Sequence, residues 1–164
     1  MDFSPDMMKR AAQQLWHQLE NRRSSMLMIE AAKPALQPVS HFADPERGLV
    51  WFICSRDSAL VSAFKDVATA RLNFVSNSED YFASLSGEIE IADDPKQLDH
   101  FWSYAADAWF EQGRNDPSVV LLKMTPQKAT AWVAQGQQLL VAPKSMCIQF
   151  GVEPVKSSQR SNTR

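Results

Sequence analysis

Ser84-Leu85-Ser86-Gly87-Glu88-Ile89-Glu90-Ile91 is the clearest period-two stretch in this 164-residue chain. Leu85, Ile89 and Ile91 are predicted to face inward, and Ser84, Ser86, Glu88 and Glu90 to face the other way. That alternation is the mark of a strand with one buried face. Gly87 inside it predicts a bulge or a close backbone approach.

Upstream, Arg71 to Val75 alternates in the same way, and the polar Asn77-Ser78-Glu79-Asp80 predicts the connecting loop. Leu49-Val50-Trp51-Phe52-Ile53-Cys54 is apolar on both sides, which suits a central strand covered on both faces. Asp44 to Gly48 is a turn cluster in front of it. Ser25 to Ala32 and Leu36 to Phe42 read as two earlier strands separated at Pro34. A short helix with Asp57 as its cap and Leu60, Phe64 and Val67 on one face is predicted after Cys54. The chain opens with a helix: Ser4 as cap, Pro5 at its first position, Leu15 and Leu19 at helical spacing, and Asn21 at its close.

Downstream, Asp94 and Pro95 start a helix whose stripe is Leu98, Phe101/Trp102, Ala105 and Trp109, with Gly113 as its stop. Val119 to Met124 and Ala129 to Val133 read as two strands joined by a turn at Thr125-Pro126-Gln127-Lys128. Strands in runs with few helices predict an antiparallel α+β domain or a small barrel, not a doubly wound sheet. One domain over 1–143 is expected, with 144–164 as a basic tail. That tail carries a net charge of +3 against −5 for the rest. Residues 157–164 have no apolar side chain and are expected to be disordered.

Composition narrows the function. A net charge of −2 gives no basic footprint for nucleic acid. No apolar run is long enough for a membrane helix, and the first residues lack a secretion pattern, so a cytoplasmic protein is expected. Cys54 and Cys147 are too few for a disulfide framework, and His17, His41 and His100 share no metal-ligand spacing. Phosphate-loop, dinucleotide, nucleophile-elbow and zinc-protease motifs are absent.

What remains are local candidates. Glu88 and Glu90 share a strand face, which reads as a solvated face before a catalytic pair. Cys54 has no neighbouring base and reads as a structural thiol. His41 ends a strand. Ser55-Arg56-Asp57-Ser58 combines hydroxyls, a guanidinium and a helix start, the ingredients of a small anion site. Trp109 and Phe110 cannot both enter one stripe, so one is free for a ring contact or a subunit interface.

Several segments resemble the flavin-binding split barrels related to pyridoxamine-5′-phosphate oxidase, and more closely their general-stress-protein branch. These are LVWFICSRDSALV at 49–61, ARLNFVSN at 70–77, YFASLSGEIEIADD at 81–94 and FWSYAADAWFEQGRNDPSVVLLKMTPQKATAWV at 101–133. The last, with its Trp109-Phe110 pair, glycine turn, Asn-Asp-Pro and Trp132, is the most specific. The resemblance implies a mainly β, α+β fold: a six-stranded antiparallel split β-barrel with flanking helices. It also implies a homodimer holding FMN in clefts between subunits.

In that family Ser40, His41, Phe42 and Ala43 would run along the flavin ring and give it backbone hydrogen bonds. Ile53, Cys54 and Ser55 would line the ribityl chain, and Ser58 would face the phosphate with Arg56 or Lys65 as a compensating charge. Trp109 and Phe110 would close the cleft. The family usually has basic residues where Ala59 and Leu60 stand. The segment 135–151 lacks the arginine and histidine that hold a pyridoxal substrate, so vitamin-B6 oxidation is not expected. Two function readings stay open: a flavoprotein with redox activity, and a non-catalytic dimer that stores or senses flavin or binds none. Heme or a deazaflavin stands behind them, heme resting on His41.

Overall fold

The structure is a computed structural model and describes residues 4–102, 104–107, 109–133 and 144–149. The expected disordered segment 157–164 lies outside the described residues.

Helix α1 (Pro5–Asn21) begins as its sequence dictates, with the Ser4 hydroxyl accepting from the Met7 N–H at 3.2 Å. Strands β1 (Ser24–Ile29), β2 (Leu36–Asp44) and β3 (Leu49–Ser55) follow, then the single turn α2 (Ala59–Ser62). Strands β4 (Val67–Val75) and β5 (Tyr81–Ala92) lead to helices α3 (Pro95–Phe101) and α4 (Tyr104–Asp107). A 3-10 turn at Gly113–Asn115 precedes β6 (Val119–Val133), and β7 (Lys144–Gln149) is the last described strand.

All strand pairs are antiparallel, in the order β3-β2-β1-β4-β5-β6-β7, and β3 also pairs with β6. That second pairing closes β1–β6 into a six-stranded barrel. The predicted fold class is the observed one.

β6 makes the closure by being long. Its first half, Val119 to Met124, pairs with β3, and Lys128 to Val133 pairs with β7. The turn expected at residues 125–128 does not form. Instead Gly87 lies opposite Pro126, and the β5–β6 register shifts between Ser86 and Gly87. A Cβ on Gly87 would sit 2.1 Å from the Thr125 carbonyl oxygen, so only glycine lets the chains pass. Ile91, on the face of Ile89 but next to the end of β5, is 38% exposed, against the inward expectation. Glu88 is exposed, and Glu90 meets Lys123 at 3.6 Å, so this carboxylate pair sits on a solvated face.

The barrel interior is apolar: Leu27, Phe52, Leu72, Leu85, Ile89, Leu122 and Met124 are all but sealed from water. Leu15 and Leu19 of α1 join the same core, as does Ile148 of β7. Each such side chain contributes roughly 1.5–3 kcal/mol of burial. β3 is covered on both faces, as its composition predicts. Phe52 is inside, while outside Trp51 is 2% exposed and lies 6.1 Å from the Phe101 ring of α3.

Two helix expectations change. The helix from Pro95 ends at Phe101, before Trp102, whose backbone is extended. It does not run on to Gly113, which instead adopts φ +63° at the head of the 3-10 turn. The helix after β3 is four residues long and is capped by Ser58, not Asp57. Val67 belongs to β4 and is 51% exposed. Finally, residues 144–149, assigned to the tail from sequence, pair along β6 as β7.

Candidate functional site

β2 and β3 lie side by side, with His41 opposite Phe52 and Ala43 opposite Val50. Alternation therefore sends His41 and Ala43 inward and Ser40 and Phe42 outward. Ile53 and Ser55 share the outer face of β3 with Trp51, while Cys54 follows Phe52 inward. Residues 40–43 and 53–55 thus form two adjacent strand edges, but their side chains divide between two faces.

The His41 ring is fully buried and both nitrogens are engaged. Nε2 lies 2.9 Å from the Leu19 carbonyl, which only accepts, so Nε2 carries the proton. Nδ1, 2.8 Å from the Ser25 hydroxyl, then accepts from it. Burial pushes the imidazole's pKa down, aided by the charges of Arg23 and Arg22. This side chain is a neutral tie between α1, β1 and β2. It has no nitrogen left for a heme iron.

The main chain here is more open. The His41 N–H donates to Arg23 O at 2.8 Å, on the β1 side. Two residues on, Ala43 directs its N–H and C=O the same way. β1 has already ended there, and its pairing with β2 stops at Ser24–Ser40. Outside, the Phe42 ring stacks on Phe101 at 4.8 Å, with the Arg23 guanidinium 5.6 Å from its centre.

At the other end of β3 the chain makes a tight turn. The Ser58 N–H donates to Ser55 O at 2.9 Å, and the Asp57 N–H to Ser55 Oγ at 3.2 Å. Ser58 Oγ accepts from the Val61 N–H at 3.3 Å. The Arg56 N–H donates to Ser118 O at 2.7 Å, which pins the turn to the start of β6. The Arg56 side chain is exposed and lines a cavity of about 310 Å³ with Asp93, Leu98 and Arg114. Leu60 is 3% exposed and packs in the core. A charge there would have to be buried. Cys54, pushed up to about 12 by burial, is a poor nucleophile.

Trp109 is 84% exposed. Phe110 leans on Trp102 at 5.7 Å, and Trp102 Nε1 donates to Asp107 at 2.7 Å. The structure therefore sets 40–43 on β2, with 41–43 beside the first half of β3, places 53–55 at the far end of β3 and 56–58 in the turn beyond it, and leaves the Trp109 ring facing solvent. Sequence reasoning missed Asp93, Leu98 and Arg114 as cavity walls. The only local sign was a basic residue beside the Gly113 turn.

The closed six-stranded antiparallel barrel defines a split-barrel protein. The chain belongs to the pyridoxamine 5′-phosphate oxidase like family, whose sequence profile matches residues 10–149. Among solved structures it is similar to a candidate general stress protein 26 from Jannaschia sp. CCS1. That likeness has 30% identity and a TM-score of 0.75, covering 87% of this chain and 99% of the other. It is also similar to a general stress FMN/FAD binding protein from Xanthomonas citri, with 27% identity, a TM-score of 0.71, and 79% and 92% of the two chains covered. A candidate general stress family protein from Xanthomonas campestris pv. campestris is 28% identical, with a TM-score of 0.71 over 88% and 99%. A comparison with curated proteins found no match. Among the described residues no helix is long and apolar enough to cross a membrane, and no group of three or more acidic, histidine or cysteine side chains could hold a metal.

Proposed function

We propose that the protein is a flavin-binding member of this family, holding FMN non-covalently at the β2–β3 edge and acting as a general stress flavoprotein. The observation that carries this reading is the turn after β3. Ser55, Arg56 and Ser58 gather two hydroxyls and a guanidinium that has no hydrogen-bond or ion-pair partner among the described residues, at the end of the strand that neighbours the open Ala43 edge. The donor set fits a flavin phosphate: a phosphate takes charge-assisted bonds from arginine and neutral ones from hydroxyls. The ring's amide edge fits the N–H and C=O of Ala43. Ile53, on the outer face of β3, supplies a wall for the ribityl chain, whereas the Cys54 side chain points into the core. A similar solved structure described as FMN/FAD binding supports the same reading.

A second subunit completes the site in this proposal. A tryptophan left 84% exposed is a strong candidate for cover by a partner. Trp109, with Phe110 behind it, would close the cleft of the neighbouring copy in a homodimer.

Bound FMN supplies electron and hydride transfer on its own ring, and the chain's part is to bind and orient it. His41 is neutral and engaged, and the Cys54 thiol is held protonated. Neither is available as an acid or base. In the second reading the protein stores or senses flavin without turnover.

Fluorescence titration with FMN tests the binding. The natural chain should bind. Arg56→Ala should weaken binding about tenfold, the scale of one charge-assisted hydrogen bond. Equal affinity would remove Arg56 from the site, and no binding by the natural chain would end the proposal. A nicotinamide-oxidation assay of the loaded protein separates the redox reading from storage.

A further inference from the structure

Strand β1 leaves its neighbour β4 early. The two pair from Met26–Asn73 to Ile29–Ala70, and toward Val67 β4 has only β5 beside it. The Ile29 N–H donates to Ala35 O at 3.0 Å, and the Ile29 carbonyl accepts from the Ala32 N–H at 2.9 Å, so neither group is spent on β4. Alternation then makes Met28, opposite Arg71, the last residue of β1 to offer its N–H and C=O to β4. Thr69, two residues from Arg71, directs its own N–H and C=O to the same side, where β1 has gone. Among the described residues no backbone hydrogen bond from the β1 side reaches them. The gap is a cavity of about 390 Å³, within the range of small-molecule sites. Ala63, Ala68 and Ala70 give it a small apolar floor, with Met28 beside them. Two of its lining side chains carry charge, Glu30 and Arg71. Both are exposed, and among the described residues neither is in an ion pair. Arg71 donates to Ser84 Oγ at 3.1 Å, which leaves further N–H groups of its fork unspent there.

We propose that this cavity binds a short peptide with free ends, laid along β4 as an added strand. The open N–H and C=O of Thr69 are a donor and an acceptor at strand spacing, the pair that an extended peptide bond matches. The peptide carboxylate meets Arg71, whose planar fork fits it, and the Ser86 hydroxyl stands opposite Arg71 as a further donor. The peptide ammonium meets Glu30. Continuing the β1–β4 register sets Glu30 level with Thr69, so the two charges are offset by roughly 7 Å along the strand, at about 3.3 Å per residue. That is the span of a dipeptide or tripeptide, and more than one amino acid covers. The alanine floor leaves room for a small apolar side chain, and Met28 adapts to its shape. The free edge is short and flanked by charge, which disfavours a long strand from another protein. The site shares no residue with the β2–β3 edge and stands whether or not that edge holds flavin.

Calorimetric titration of the full chain with trialanine tests this. Trialanine should bind at one site per chain. Arg71→Gln should weaken it about threefold to fivefold, the scale of an exposed charge pair, and leave binding of trialanine amide unchanged. Glu30→Gln should weaken trialanine by a similar factor and leave N-acetyl-trialanine unchanged. Both side chains are exposed, so the two variants keep the fold. No binding of trialanine by the natural chain would overturn the proposal. So would equal affinity for free alanine, which cannot span both charges, or for a peptide capped at both ends. Trialanine affinity that survives both substitutions would put the peptide elsewhere and overturn the site.

Discussion

Protonating His41 would place a cation in a site that water does not reach. The groups acting on the ring are the Leu19 and Arg22 backbone and the positive side chains of Arg23 and Arg22. None of these neutralises it. The folded chain therefore refuses a proton that the unfolded chain accepts at a pKa of about 6.5. The stabilisation is fully present above pH 6.5 and is lost as pH falls from there toward the depressed folded-state value. Urea melts from pH 8 to pH 5 should show that loss, and His41→Gln should flatten it. His41→Ala should cost about 2–4 kcal/mol, since it opens a cavity and orphans the Ser25 hydroxyl and the Leu19 carbonyl. An unchanged denaturation midpoint would contradict this role. The same residue shows the limit of the sequence. His41 at the end of a strand reads equally well as a ligand or a surface group, because its partners are 16 and 22 residues away.

At the scale of elements, the passage of β5 over β6 decides whether the barrel closes. Gly87→Ala would drive a methyl group into the Thr125 carbonyl and the Pro126 backbone, and neither can rotate aside. The expected cost is about 3 kcal/mol or more, read as a drop in melting temperature or in soluble yield. A variant as stable as the natural chain would mean that the bulge relaxes freely. The glycine signal was legible in the sequence. Its partner was misread as a turn, because a Thr-Pro-Gln-Lys run usually punctuates strands. What overrode local preference was the facing glycine, which lets a proline sit within a continuous strand. The helix after Pro95 failed for a related reason. Its aromatic stripe continues past Trp102 in sequence, but the backbone turns extended there and Phe101 packs on Phe42 and Trp51. Ser58 replaced Asp57 as a cap by one position, a shift that periodicity cannot fix.

For the whole molecule, alternation in β5, the doubly apolar β3 and the sparse helices made a small antiparallel barrel readable in advance. Closure was not readable from pattern alone, since it depends on β3 meeting β6 across more than sixty residues. The candidate site was half legible. Ser55-Arg56-Asp57-Ser58 stands out as hydroxyls and a guanidinium at a strand end. The cavity walls come from three separate segments and have no shared motif. At this scale the account predicts a dimer. Light scattering should give twice the chain mass, and Trp109→Ala should shift the protein toward monomer and lower flavin affinity together. A monomeric natural chain that still binds flavin would contradict the shared cleft. The central claim is simpler than any of these and is tested by one absorption spectrum of the protein, taken after flavin is added and the free flavin is removed by desalting. The account predicts retained flavin bands in stoichiometric amount. A colourless protein would contradict it, and would leave the barrel without its flavin.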